Sequence, residues 1–251
     1  MERWSRKVAV VTGCSSGIGA SIARHLCKKG MIVIGLARRV QRLESLSKEI
    51  GDEEGAFHFH ECDVSNRLSV KNAFAWIAQN YPNVSVLVNN AGVNISTSIL
   101  AEDNEALLES VVNTNLMGAL YCTKEVYKIM KQANGDEFYI ININSILGHN
   151  IFRASRDVRL NVYPSAKFGL RAASEVMRLE LLGDKRFHIS SISPGLVKTE
   201  IVDMHPDAKK FIAAEPSLNT EDIAKTVEFI LTIGSHVQIA DIIIKPVGER
   251  I

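Results

Sequence analysis

Tyr163 and Lys167 stand four residues apart in Tyr163-Pro164-Ser165-Ala166-Lys167, a spacing that puts a phenol and an ammonium on one face of a helix. Pro164 suits the first turn of such a helix. A free tyrosine, with a pKa of about 10, is a poor base at neutral pH, but a nearby cation favours its phenolate. Tuned in that way, Tyr163 can take the proton of an alcohol during oxidation, or give one to the alkoxide that develops when a carbonyl is reduced. Ser145, in Asn142-Ile143-Asn144-Ser145, could hydrogen-bond the same substrate oxygen, although a serine there could equally cap a turn. Asn115 falls on a predicted helix, where asparagine has modest propensity and needs a partner if buried; Asn113 is its rival for a site role. A YxxxK spacing also arises by chance on exposed helices, so its place in the fold decides the matter.

Proton transfer of this kind needs a hydride carrier, and the N-terminal segment offers a place for one. The run Thr12-Gly13-Cys14-Ser15-Ser16-Gly17-Ile18-Gly19 joins a strand-like stretch to a helix-like one. Glycines there permit a tight turn and close backbone approach, and the helix N-terminus offers unpaired N–H groups to a pyrophosphate. Its spacing is GxxxGxG rather than GxGxxG, and three glycines alone could be an ordinary turn. The second strand-like run ends at Ala37-Arg38-Arg39, where an NAD site would favour a carboxylate for the ribose hydroxyls. Two guanidinium groups can instead pair with a 2′-phosphate, which favours NADP(H), with Arg39 also readable as the solvated start of the next helix. Asp63 and Val64 follow the third such run, and Asn90, in Asn89-Asn90-Ala91-Gly92, follows the fourth. Both are at strand carboxyl ends, where open α/β sheets bind ligands.

These residues must be held by a repeating frame. Apolar runs rich in Val and Ile fall near 7–12, 31–36, 56–61, 84–88, 138–143, 187–192 and 240–245. Segments with helical spacing lie at 17–29, 66–80, 104–132, 163–182 and 219–233. Strands alternating with helices, some continuously apolar, predict an α/β single-domain Rossmann fold over 1–251. Its doubly wound parallel sheet has about seven strands, with helices on both faces. Residues 146–162 and 195–217 break the alternation and are candidate substrate loops.

Composition narrows the function classes. Lysine plus arginine (29) nearly cancels aspartate plus glutamate (28), so no global field favours nucleic acid or an anionic membrane. Cys14, Cys27, Cys62 and Cys122 are scattered, with no CxxC pair, which reads as reduced thiols in the cytoplasm. The start, Met1 to Lys7, leads directly into a strand-like run too short for a signal peptide or a membrane span. His58 and His60 alternate on one strand, but no HExxH or acidic partner accompanies them, so no metal site is expected.

TGxxxGxG at Thr12–Gly19, NNAG at Asn89–Gly92, Ser145 and YxxxK at Tyr163–Lys167 occur in that order, and with them the chain resembles the short-chain dehydrogenase/reductase family over essentially its whole length. Pro194-Gly195-Leu196-Val197-Lys198-Thr199 is similar to the family's PGxVxT segment. The resemblance implies catalysis by Asn115, Ser145, Tyr163 and Lys167, with Asn115 holding a water in a proton relay that ends at Tyr163. It also implies that Gly13, Ser15, Ser16, Gly17, Ile18 and Gly19 wrap the cofactor phosphates, that Asp63 and Val64 flank the adenine, and that Asn90 lies along the cofactor. Val197 and Thr199 would sit beside the nicotinamide carboxamide, and Lys167 would also hold the nicotinamide ribose.

Met1-Glu2-Arg3-Trp4, Asn142-Ile143-Asn144-Ser145 with Gly148-His149, and Gln238-Ile239-Ala240-Asp241-Ile242 resemble one branch in particular, the insect farnesol dehydrogenases and the member 11 carbonyl reductases. That branch uses NADP and apolar substrates. Ile95, Ile99, Leu147, Phe152, Ile201, Met204 and Phe211 could line an apolar pocket for an isoprenoid alcohol such as farnesol, or for a ketosteroid. Two departures stand out: Asn144 replaces a serine frequent in the family, and Ser145 lies 18 positions before Tyr163, a wider gap than usual. The longer gap brings Phe152, Arg153, Arg156 and Arg159 towards the substrate mouth. The segment from Asn104 to Lys131 and the helix after Tyr163 resemble those that form a homodimer or homotetramer in the family. Rossmann-like methyltransferases share the glycine turn but have no use for Tyr163 and Lys167. A catalytically silent NADP(H)-sensing protein is the reading from another functional class.

Overall fold

The computed structural model describes residues 1–51, 53, 55–151, 159–200 and 214–249. Seven strands form one sheet: β1 (Val8–Thr12), β2 (Ile32–Ala37), β3 (Ala56–Glu61), β4 (Val84–Asn89), β5 (Phe138–Ile143), β6 (Phe187–Pro194) and β7 (Asp241–Ile244). Their order is β3-β2-β1-β4-β5-β6-β7, and every pairing is parallel. In the central strands Val10 stands opposite Ile34 on one side and Leu87 on the other. Such strands are buried on both faces, which is why β1, β4 and β5 are buried at every position.

Successive side chains on β1 feed opposite cores. Ala9 and Val11 pack with α1 (Gly17–Lys28), α2 (Val40–Ile50) and the last described helix, α7 (Thr220–Thr232), through Leu26, Leu43 and Val227. Val8 and Val10 pack with α3 (Arg67–Asn80) and α5 (Gly118–Gln132) through Phe74 and Val126. The sheet is therefore doubly wound. Two features depart from the sequence reading. Helix α2, of which only a start after Arg39 was anticipated, buries just Leu43, Leu46 and Ile50 along an otherwise polar stretch. The predicted helix over 104–132 is divided into α4 (Glu105–Val112), a π-turn (Asn113–Met117) and α5. The catalytic candidate Tyr163 opens α6 (Tyr163–Glu180), with Pro164 in its first turn.

Candidate active site

β1 and β4 are neighbours, but the chain leaves β1 for β2 on one side and reaches β4 only after β3, so a crevice opens between their carboxyl ends. A cavity of about 390 Å³ lies there, within the range of small-molecule sites. It brings together Gly13, Ser15, Ser16, Gly17 and Ile18 of the first turn with Ser145, Tyr163 and Lys167. Arg38, Arg39, Asp63, Val64, Asn90, Val197 and Thr199 line the same cavity. Gly19 and Asn115 are not among the residues that line it.

The first turn is fitted to the neighbouring strand end with no room to spare. Thr12 Oγ1 accepts the N–H groups of Asn90 (3.0 Å) and Ala91 (3.1 Å), while Asn90 Nδ2 donates to Thr12 O at 2.9 Å. Gly13 has φ +66°, and a Cβ there would lie 2.7 Å from Ala91 Cα. At Gly19 a Cβ would lie 2.5 Å from both Gly13 O and Asn90 Nδ2. Gly13→Ala combines an unfavourable φ with a backbone clash, and we expect it to destabilise the fold by about 2 kcal/mol or more in chemical denaturation. A loss under about 0.5 kcal/mol would show that the turn relaxes freely.

The two arginines differ. Arg38 is exposed at the cavity, with no hydrogen-bond or ion-pair partner among the described residues. Arg39 folds back over the turn: its Nε and Nη2 donate to Ser15 Oγ (3.1 and 2.9 Å), and Nη2 also donates to Ser16 Oγ (2.8 Å). It is thus not a freely solvated helix start. Asp63 Oδ1 accepts from the N–H (3.0 Å) and hydroxyl (2.7 Å) of Ser65, which shapes the turn after β3.

Tyr163 and Lys167, two of the candidate catalytic side chains, are buried. Tyr163 is 9% exposed and packs beside Val111 and Leu147. Burial pushes its phenol up to about 12, opposed in part by a hydrogen bond with Ser145. Lys167 is 5% exposed, and burial pulls its ammonium down to about 8. Its Nζ donates to Ile143 O at 2.9 Å and lies 5.5 Å from the centre of the Tyr163 ring. The expected depression of the Tyr163 pKa by Lys167 is therefore not what the chain alone produces. The ammonium faces the ring and a carbonyl, so desolvation of the phenolate outweighs it. Ser145 Oγ accepts the Leu147 N–H at 3.1 Å, so the serine caps a turn as well as meeting Tyr163. Asn144, where many relatives have serine, is buried, with both amide atoms unpaired among the described residues.

Asn115 is 1% exposed, whereas its rival Asn113 is exposed. Its Nδ2 donates to Val93 O (2.7 Å) and Val111 O (2.9 Å), and its Oδ1 accepts from Val93 N (3.0 Å). Both amide protons are committed to backbone, so the side chain ties the loop after β4 to the π-turn.

Several positioning residues escaped the sequence reading. Asn161, at φ +44°, accepts the Tyr163 N–H on its Oδ1 (2.7 Å) and donates to Ile95 O, so it seats the first turn of α6 against the loop after β4. Asparagine's tolerance of the left-handed region was the only available signal. Glu249 Oε1 accepts the Leu196 N–H at 2.7 Å and braces the Pro194–Thr199 segment. His149 Nε2 lies 2.8 Å from Ser193 Oγ and 3.3 Å from Asp241 Oδ2, anchoring the turn that follows Ser145.

Of the apolar pocket candidates, Leu147 lines the cavity and Ile95 packs with Tyr163, while Ile99 is exposed. Phe152, Ile201, Met204, Phe211, Arg153 and Arg156 lie outside the described residues. His58 and His60 face the Tyr81 and Trp76 rings (5.2 and 4.9 Å), and no cluster of metal-ligating side chains occurs among the described residues. All four cysteines are buried and free.

A nucleotide-binding switch point joined to a buried tyrosine and lysine and a half-buried serine defines a Rossmann-type oxidoreductase, and the chain belongs to the short-chain dehydrogenase family, whose model matches residues 7–210. It is 41% identical to a farnesol dehydrogenase of Aedes aegypti over the full length of both chains. It is 37% identical to dehydrogenase/reductase SDR family member 11 of Gallus gallus, covering 99% of each. Among solved structures, the closed form of a serine dehydrogenase complexed with NADP+ matches at TM-score 0.82 and 29% identity, over 94% of this chain and 93% of that one. An alcohol dehydrogenase from Thermococcus sibiricus complexed with 5-hydroxy-NADP matches at TM-score 0.82 and 26% identity, over 98% and 99%.

Proposed function

We propose that this protein interconverts an apolar alcohol and its aldehyde or ketone with NADP(H), with farnesol-like isoprenoid alcohols as the substrate class. The observation that carries the reading is the convergence of Tyr163, Ser145 and Lys167 with the arginine-bearing first turn in one cavity. The donor set fits the cofactor: N–H groups at the start of α1 suit the pyrophosphate, and Arg38 with Arg39 suits a 2′-phosphate. NADP(H), when bound, supplies or accepts the hydride.

Tyr163 exchanges a proton with the substrate oxygen, Ser145 hydrogen-bonds that oxygen, and Lys167 holds positive charge close to the phenol. Leu147 and Ile95 give the tyrosine an apolar surround that excludes water and suits a hydrocarbon substrate. The farnesol dehydrogenase likeness supports the isoprenoid class. Reduction of ketones such as ketosteroids is the second reading. It is favoured by a phenol pushed up to about 12, which stays protonated and ready to donate at neutral pH.

Arg38→Asp is expected to weaken NADP(H) binding about tenfold or more while leaving NAD(H) unchanged or improved, as followed by nucleotide fluorescence. Equal loss of both would remove Arg38 from the choice of cofactor. Leu107, Phe168 and Val176 are partly exposed on α4 and α6, which supports self-association as a homodimer or homotetramer. No described helix is long and apolar enough to cross a membrane; the four free, buried cysteines support a reducing compartment such as the cytoplasm. A panel of isoprenoid alcohols and hydroxysteroids, with the reverse reductions alongside, tests the substrate class. Preference for farnesol-like alcohols supports it. Preference for ketosteroids selects the second reading, and tight NADPH binding without turnover on any member selects the silent sensor.

A further inference from the structure

The nucleotide end of the cavity contains a carboxylate among its cations. Glu200 follows Thr199 directly, and its Oε2 lies 3.1 Å from Arg39 Nη1 while its Oε1 pairs with Arg42 Nη1. Arg39 thereby bridges the first turn, through Ser15 and Ser16, to the segment after β6, through Glu200. A guanidinium has five N–H donors in a fixed fork. Here Nε and Nη2 serve the two serines and one N–H of Nη1 serves Glu200, so Arg39 has one donor left for anything else.

Arg42 and Arg39 hold the Glu200 carboxyl below its ordinary range, so it is an anion at neutral pH. Arg24 and Lys198 line the adjoining cavity with Ser15, Ser16, Arg42 and Glu200, and Arg24 is already paired with Glu49 at 2.7 Å. The negative group in contact with Arg39 is therefore supplied by the chain itself.

We propose that Glu200 is a built-in competitor for the cofactor's 2′-phosphate: a second anion at Arg39 and Arg42 must displace the Glu200 carboxylate, which weakens binding of the phosphorylated nucleotide and leaves the unphosphorylated one unaffected. The inference rests on the NADP(H) reading of the same cleft. Both arginines and Glu200 are about half exposed, so water and salt screen these pairs and the effect is modest. Its value to the enzyme is faster release of spent cofactor, since tighter binding of related ligands is expressed mainly in the dissociation rate.

Calorimetric titration of the whole protein with adenosine 2′,5′-bisphosphate and with 5′-AMP tests it, with thermal melting as the check on folding. Glu200→Gln is expected to tighten the bisphosphate about three- to tenfold and leave 5′-AMP unchanged, a gain that shrinks at high salt. Glu200→Asp keeps the charge but shortens the reach, and falls between. In an Arg39→Ala, Arg42→Ala background the gain disappears. An unchanged bisphosphate affinity in Glu200→Gln, or an equal gain for both nucleotides, overturns the proposal. The cofactor reading fails separately, and takes this inference with it, if the wild-type protein shows no preference for the bisphosphate over 5′-AMP.

Discussion

Tyr163→Phe is expected to lower turnover by about a thousandfold while the protein folds and binds NADPH as before. Phenylalanine keeps the ring that packs on Val111 and Leu147, so only the hydroxyl and its hydrogen bond with Ser145 are lost. Stability should move by less than about 1 kcal/mol, the net worth of one neutral hydrogen bond. What disappears is the proton donor in reduction and its conjugate base in oxidation. Because burial pushes the phenol up to about 12, the wild type should reduce carbonyls steadily through neutral pH, and should oxidise alcohols faster as pH rises. Absorbance at 340 nm follows both directions, and quenching of protein fluorescence follows NADPH binding. Turnover within tenfold of wild type would take Tyr163 out of the acid/base role.

Lys167→Met separates stability from activity. The ammonium is buried, and its pKa falls from an ordinary 10.5 to about 8, so the folded chain releases this proton before the unfolded chain does. Below pH 8 the folded state therefore bears the full penalty of the buried charge, of order 3 kcal/mol, and the penalty fades as pH rises from about 8 to 10.5. Methionine removes that penalty but also leaves Ile143 O without its 2.9 Å partner. A net stabilisation of about 1 to 2 kcal/mol is expected at pH 7, shrinking towards pH 10, together with a loss of turnover of about a hundredfold. Denaturation at the two pH values checks it. A variant less stable than wild type at pH 7 would mean that the ammonium contributes more by bonding than it loses by burial.

The frame of this protein was legible because its strands are buried on both faces. Val8–Thr12, Val84–Asn89 and Phe138–Ile143 read as apolar runs within a residue or so of their observed limits. Tyr163, Lys167, Ser145 and the first glycine turn were visible as residue types at fixed spacing, and the cavity brings them together. Less visible was anything that depends on a distant partner. Asn115 read as a helical residue, yet its bonds to Val93 and Val111 accompany a π-turn that no local pattern announced. Asn161 acts through Ile95 and Tyr163, and Arg39 is held by serines 23 and 24 positions earlier in the chain. The upward push of burial on the Tyr163 phenol was hidden for a related reason. Spacing on a helix put Lys167 on the right face, but not the degree of burial that outweighs its charge.

In the proposed mechanism one cavity couples an NADP-type cofactor to proton exchange at Tyr163. The most direct measurement is the initial rate of 340 nm absorbance change for the purified protein with farnesol, comparing NADP+ and NAD+ at equal concentration. Turnover with NADP+ at least about tenfold more efficient than with NAD+ is the predicted result, as loss of a charge-assisted phosphate contact would produce. Equal or better turnover with NAD+ would contradict the account of Arg38 and Arg39, and farnesol left unchanged with either nucleotide would contradict the assigned substrate class.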